Sequence, residues 1–518
     1  MEKTEEPLTP PGDPSDKSEL AAGDETEKGP SMAVAEVTKD TFNTLPGDTT
    51  AATPMTKPVV EITNRRYQSN CFWGGPKGLD YGLLRGRLPI QLANYYPDAN
   101  STYFVGQFNM PKGAYLTIQG HYGHLRYFSL TVANNLPGGV QGGGTFLRDD
   151  QIEPDAGSTN PFVPTNGRNV PHDQRSYTVY IRQGTSPEEA PANTLYTGTD
   201  SDRVGIHLAL RSYLPDVGFD GTGNVGLQPS EDSGTRIAYG LPEITLTLTL
   251  DEDGKTIEQN LTGEKLCKFV RASKAQQPQE YPTNQWLKLV AESWDPTNAP
   301  ALSAPTFQRF WDMNYSVTGR FIIDPVERVL TFPPTDNGAY LTNPDTVYMV
   351  ALFSLSFGEL VVIKGKMPSF PATKHGQDFP ENGTQVRYWS LTAGATAPSG
   401  FGWATVFDEE IPLDQNGHFT IVMSRAENRP KNAVRTCGVK WIEFGGGEGH
   451  YIGARNWVNS VYIRYMASEK GKVWPNSPLN IPIPSKKNPA PMDAAVMGPY
   501  YPRGQYMSKE EFEIRGTP

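Results

Sequence analysis

Residues 103–132 read YFVGQFNMPKGAYLTIQGHYGHLRYFSLTV. A second version begins at Tyr348 as YMVALFSLSFGELVVIKGKMPSFP and, after an insertion through Gln385, resumes as VRYWSLTA. Gly113 and Gly120 find counterparts in Gly358 and Gly365, and Arg126-Tyr127-Phe128-Ser129-Leu130 finds one in Arg387-Tyr388-Trp389-Ser390-Leu391. Two further blocks follow in the same order. Residues 147–152 align with 406–411, which sets Asp149 on Asp408, and residues 176–181 align with 418–423. Three collinear blocks indicate an internal duplication. Within them apolar and polar residues alternate, as in Tyr115-Leu116-Thr117-Ile118, with the period of half-buried strands. Residues 204–213 extend the pattern, with Ile206, Leu208 and Leu210 on one face and His207, Ala209 and Arg211 on the other. Their counterpart is 461–465, where Arg464 matches Arg211.

A chain of 518 residues is long enough for several domains, and the duplication favours two. Its 51 Gly, 46 Pro and 11% aromatics suit short strands joined by tight turns. The formal charge is −11, and residues 1–57, with 12 Asp/Glu against 5 Lys, hold −7 of it. The remainder is near neutral and shows no basic stripe, so nucleic acid is not an expected partner. No run reaches the length of a membrane span, and the N-terminus has no basic region followed by an apolar one. A soluble, cytoplasmic protein with no membrane partner is expected. Cys71, Cys267 and Cys437 are scattered, which suggests neither a disulfide framework nor a zinc cage.

Residues 1–57, rich in Glu, Asp, Thr, Pro and Ser, are expected to be a disordered acidic tail. Residues 58–250 make the first β unit, 346–485 the second, and 486–518 a Pro- and Tyr-rich tail with a helical turn at 508–512. Residues 251–345 have no partner in the repeat. There Trp286, Leu289, Val290 and Trp294 recur at helical spacing after Thr283 as N-cap, which makes this stretch a part-helical connector.

The second unit carries Asp414-Gln415-Asn416-Gly417-His418-Phe419-Thr420-Ile421-Val422, then Asn456-Trp457, Val461-Tyr462-Ile463-Arg464-Tyr465 and Trp474-Pro475. This resembles the bacterial tandem jelly-roll proteins classed as domains of unknown function, with their D-G-x-L-T-I-Y-I strand, N-W turn, L-R-x-Y strand and closing W-x-P. The first unit is similar through residues 177–182 and 210–215, without the Asn-Trp turn. The resemblance implies a mainly β fold of two tandem jelly-roll-like β-sandwiches joined by the connector. It brings no catalytic residues and no cofactor with it.

Features shared by both copies are read as serving the fold. Arg126 with Asp149, and Arg387 with Asp408, are expected to form charge-assisted pairs between neighbouring strands. Features of one copy point to a task. His121-Tyr122-Gly123-His124 stands where the second copy has Lys366-Met367-Pro368, and the loop 155–175, with Ser158, Asn160 and His172, has no counterpart. The candidate catalytic set is His121, His124, Arg126, Asp149 and Asp150, in which His124 near Asp150 moves a proton without a cofactor. Tyr122, Ser158, Asn160, His172 and His207 are the candidate ligand-binding residues. Two His at a turn with Asp149 or Asp150 could also hold a metal, but the His-x-His and following Glu of cupin sites are absent, so no metal ligands are assigned. A hydrolase triad of Ser158, His124 and Asp150 lacks a nucleophile-elbow motif.

Three functions stand on these residues. One is a small-molecule-binding protein, with its site in the first copy, that binds its ligand or catalyses a cofactor-independent cyclisation, isomerisation or hydrolysis. The second is a non-catalytic assembly or carbohydrate-binding protein. The third is a metal-dependent cupin-like enzyme. An exposed aromatic platform favours the second, and a closed pocket containing His124 favours the first. Edge strands of such sandwiches often pair between subunits, so a homo-oligomer is a candidate assembly.

Overall fold

Alternation leaves each strand one apolar face, and the chain buries these faces by stacking its sheets in pairs. The computed structural model describes residues 72–77, 98–135, 141–142, 145–200, 203–224, 240–252, 255–273, 302–322, 324–335, 344–395, 402–444, 458–468 and 473–515, all within one unit, residues 60–518. The described residues are mainly β and form four sheets.

The first sandwich contains β1 (Gly74–Lys77), β2 (Ser101–Pro111), β3 (Tyr115–His121), β4 (Leu125–Asn135), β5 (Gln141–Gly142), β6 (Phe146–Arg148), β7 (Ser176–Arg182), β8 (Thr194–Tyr196), β9 (Arg203–Pro215), β10 (Glu243–Glu252) and β11 (Lys255–Leu261). One sheet has the order β1-β2-β9-β4-β5, with β6 also on β4, and the facing sheet has β11-β10-β3-β7-β8. Phe104, Phe108, Leu130 and Ile206 from the first sheet meet Leu116, Ile118, Val179 and Leu246 from the second in a single core.

The second sandwich contains β12 (Gln308–Arg309), β13 (Thr346–Phe353), β14 (Leu360–Lys366), β15 (Val386–Ala395), β16 (Gly402–Phe407), β17 (His418–Ser424), β18 (Val439–Glu443), β19 (Asn459–Ala467) and β20 (Arg503–Met507). Its sheets run β12-β13-β19-β15-β16 and β18-β17-β14-β20. Met349, Trp389, Leu391 and Ile463 meet Ile363, Phe419 and Ile421 between them.

The two sandwiches meet through the outer faces of the β2–β9–β4 and β13–β19–β15 sheets. Tyr127, Tyr213 and Leu214 pack there against Tyr388, Phe407 and Met466, with the Tyr213 and Tyr388 rings edge-to-face at 5.5 Å. The face of β9 that carries His207, Ala209 and Arg211 is therefore buried rather than wet.

Element edges differ from the sequence reading at both ends of the connector. Strand β11 pairs with β10 of the first sandwich, and β12 pairs with β13 of the second. Helix Gly263–Ala272 lies between β11 and β12, and helices Met313–Ser316 and Pro325–Thr331 lie between β12 and β13. At the C-terminus β20 completes a sheet on β14, and helix Lys509–Arg515 sets Phe512 against Leu360, Val362 and Val422. Cys267 is disulfide-bonded, contrary to the expectation from cysteine spacing, and its partner falls outside the described residues; Cys437 is free. The acidic tail 1–57, the helix expected at 284–294 and the Asn456-Trp457 turn also lie outside the described residues. No described helix is long and apolar enough to cross a membrane.

Candidate functional site

Arg126 lies on β4 and Asp149 follows β6, both with no exposure, at the face where the sandwiches meet. They do not pair with each other. Arg126 donates through Nη1 to both oxygens of Asp408, at 2.7 Å each, and through Nη2 to Glu409. Arg387 in turn donates through Nη2 to Asp149 at 3.2 Å and through Nε to the Arg126 carbonyl. Each carboxylate also accepts two backbone N–H groups of its own sandwich: Phe128 and Asp150 on Asp149, Trp389 and Glu409 on Asp408. Arginine–aspartate pairs form, but across the boundary between the sandwiches: backbone donors hold each carboxylate in place and the guanidinium arrives from the facing sandwich.

Two more carboxylates cross the same boundary. Asp98, ahead of β2, accepts from Tyr388, Ser390 and Arg464 of the second sandwich. Asp345, ahead of β13, accepts from Tyr127 at 2.8 Å and lies 3.7 Å from Arg148. Asp150 is taken by Arg148 through two bonds of 3.0 and 2.9 Å. Burial holds the Asp149, Asp345 and Asp408 carboxyls above the usual carboxylate range, with the facing arginines pulling the other way. Arg126 and Asp149, read from sequence as catalytic, are thus spent on joining the two halves, and Asp150, read likewise, holds Arg148, which donates to the Ala467 and Ser468 carbonyls of the second sandwich.

His124 does not meet Asp150. Its ring stacks on Phe219 at 4.3 Å, and its backbone N–H donates to the Gly223 carbonyl. Burial first, then Arg175 and Arg168, hold its imidazole down at about 4, against an ordinary value of 6.5. A folded pKa below the unfolded one favours the neutral ring, so this contribution to stability is complete above pH 6.5 and lost as pH falls through 4. His124→Phe, which keeps the stack on Phe219, is expected to lose less stability between pH 7 and about pH 4 than wild type, read as the shift in urea midpoint. An equal loss in both proteins would show that His124 does not contribute.

The other candidate residues of the first sandwich divide between core and surface. The Tyr122 hydroxyl donates to the Ile152 carbonyl, and Asn160 Nδ2 donates to the carbonyls of Asp149 and Ile152, so Asn160 ties the 155–175 loop to the segment that Tyr122 holds. His207 is fully buried, with the Gln107 amide 2.6 Å from Nδ1. A cavity lined by His121, Gly123, Tyr177, Ser212, Thr222 and Asn224, among others, measures about 10 Å³, room for one water molecule.

The outer face of β10, β3 and β7 is different in kind. Tyr115, Thr117, Gln119 and His121 point outward from β3, Thr178, Tyr180 and Arg182 from β7, and Thr245 and Thr249 from β10. The register sets Thr117 between Tyr180 and Thr245, and Gln119 between Thr178 and Glu243. Arg182 lies 5.3 Å from the centre of the Tyr115 ring, and the Tyr115 hydroxyl is 3.5 Å from Glu258. Tyr180 is 36% exposed. At the far end His121 stacks on His172 at 4.5 Å, and the hydroxyls of Ser158 and Ser176 are 2.8 Å apart. Burial and His172 lower the His121 pKa, and Asp155 opposes them.

This face brings together three of the residues read from sequence, His121, His172 and Ser158. It adds Tyr115, Tyr180, Gln119 and Thr178, which that reading missed. Their signal was present in the outward half of the period-two alternation. The matching face of the second sandwich is sealed, with Leu360, Val362 and Val422 buried together with Ala433, Met507 and Phe512.

Among the described residues, no group of three or more His, Cys, Asp or Glu is arranged to hold a metal ion. No family model and no curated protein matches the chain. Among solved structures it is similar to an uncharacterised protein from Burkholderia cenocepacia, at 12% identity and a TM-score of 0.38, over 80% of this chain and 78% of that one. It is also similar to the VPA0106 protein from Vibrio parahaemolyticus, at 12% identity and a TM-score of 0.32, over 83% of this chain and 94% of that one.

Proposed function

We propose that this chain is a non-catalytic carbohydrate-binding protein that holds polyhydroxylated ligands on the open β10–β3–β7 face. The observation that carries the reading is the pair Tyr115 and Tyr180 set among Thr117, Gln119 and Thr178 on the outward side of the sheet. A sugar ring offers an apolar C–H face and a rim of hydroxyls. Tyrosine rings fit the first, and amide and hydroxyl side chains fit the second. The architecture proposed with it is a tandem pair of jelly-roll-like copies. In its support, β2-β9-β4 corresponds to β13-β19-β15, and β10-β3-β7-β8 to β20-β14-β17-β18, down to the parallel last pair in each. One copy keeps its outer face open, and the other has been sealed by the chain's own C-terminus. The Cys267 disulfide favours an oxidising compartment, where extracellular polysaccharides are met, over the cytoplasmic location read from sequence.

Affinity electrophoresis over a panel of neutral polysaccharides tests this reading. Tyr180→Ala is expected to weaken binding roughly tenfold, about 1.4 kcal/mol, with thermal unfolding unchanged, since the ring stands at the surface. If no polysaccharide in the panel retards the wild-type protein, the reading is lost. A cofactor-independent enzyme keeps one observation in its favour, the stacked His121–His172 pair beside Asp155 at the end of the same face.

A further inference from the structure

We propose that the ligand of the open face is a neutral linear polysaccharide, held along its length over at least three successive sugar rings rather than by one end. This rests on the carbohydrate reading above and adds the ligand's size, course and charge. Strand register supplies the course. Thr117 on β3 stands opposite Tyr180 on β7, so Tyr115, two residues back on β3, is the diagonal neighbour of Tyr180. The backbones of such a pair are about 7–8 Å apart, more than one sugar ring covers. On its other side Tyr115 stands opposite Thr247 on β10, and Thr247 stands opposite Asn260 on β11. The Tyr115 hydroxyl reaches across β10 to within 3.5 Å of Glu258 on β11, and Thr247, on the strand between, is only 2% exposed. A row thus runs obliquely over four neighbouring strands, from Glu258 and Asn260 through Tyr115 to Tyr180.

Exposure follows the same course. Residues 255–260 of β11 are all exposed, as is Tyr180, whereas β8, the next strand after β7, is buried throughout. The row therefore ends at β7 on one side and on the other at β11, the last strand of the described sheet. Three strand spacings of about 4.8 Å make it roughly 14 Å wide, the reach of several linked sugar rings and far beyond one. Tyrosine rings at two points along such a chain meet its C–H faces, while Thr117, Asn260 and Glu258 offer hydrogen-bond partners to the hydroxyls between and beyond them. The charges on the row oppose each other, with Arg182 beside the Tyr115 ring and Glu258 at its hydroxyl. That balance fits a neutral chain better than an acidic one, which would meet the Glu258 carboxylate.

Affinity electrophoresis of the full chain in β-glucan, xylan and galactomannan gels, with oligosaccharides of increasing length from the same polymers as competitors, tests the extended site. Competition should strengthen about tenfold between the disaccharide and the tetrasaccharide and then level off, and the free monosaccharide should not compete. Glu258→Ala, a change at an exposed position, should unfold at the wild-type temperature and lose most of that gain with length. A monosaccharide that competes as well as the tetrasaccharide, or a Glu258→Ala protein with the full dependence on length, would overturn the extended site and leave the carbohydrate reading in place. Retardation by none of the polymers would remove both.

Discussion

Arg126→Met is expected to destabilise the folded chain by about 3–5 kcal/mol, the cost of leaving a buried charge without its partner. Asp408 has no exposure, and Arg126 is the cation that meets both its oxygens. Its remaining partners, the N–H groups of Trp389 and Glu409, stabilise a carboxylate but do not neutralise it. The same change releases Glu409 and the Thr373 hydroxyl, which the guanidinium also holds. Adding Asp408→Asn to Arg126→Met removes the orphaned charge and keeps an oxygen for one of the two N–H groups, so the double variant should regain part of the loss. Arg387→Met should cost less, because Arg387 meets Asp149 through a single bond of 3.2 Å. Urea unfolding of the four proteins measures these differences. A loss under about 1 kcal/mol for Arg126→Met, in the range of an exposed pair, would mean that the exchanged pairs do not hold the sandwiches together.

These exchanged pairs mark the boundary of what the sequence could tell. Alternation in 115–118 and 176–181 named β3 and β7 with their buried sides, because one apolar face in two is what a sandwich requires. The repeat read in the sequence also aligned Arg126 with Arg387 and Asp149 with Asp408. With both partners in each copy, however, pairing within a copy and pairing between copies satisfy the same sequence. Only the approach of the two sheets decides between them. The polar set His207, Ala209, Arg211 was legible as one face of β9 but not as buried, since a polar face matched by another polar face reads like one turned to water. The open face had the opposite difficulty. Tyr115, Gln119, Thr178 and Tyr180 come from two strands, and only the β3–β7 register makes them neighbours. His121, by contrast, was visible in the sequence because the second copy lacks it.

Gly120→Val is expected to cost roughly 3 kcal/mol, the upper range for overpacking a well-filled core. Gly120 faces Tyr177 across the β3–β7 pair, and a Cβ there would stand 2.6 Å from the ring carbon and hydroxyl of that tyrosine. The ring has no free direction, for it lies 5.0 Å from Tyr122 and is stacked on Phe128 at 5.7 Å. The second sandwich repeats the device: Gly365 faces Phe419, and a Cβ there would stand 3.0 Å from the ring. The repeated glycines thus seat an aromatic ring of the neighbouring strand, a reason the sequence alignment alone did not supply. Because the second contact is looser, Gly365→Val should cost less than Gly120→Val. Gly157→Ala is the control, since Gly157 has φ +84° with nothing within 4 Å of an added Cβ and so carries only the left-handed backbone cost of about 1–2 kcal/mol. Thermal unfolding should rank Gly120→Val as the largest loss and Gly157→Ala as the smallest. If Gly157→Ala matched Gly120→Val, backbone conformation rather than ring seating would account for the recurring glycines.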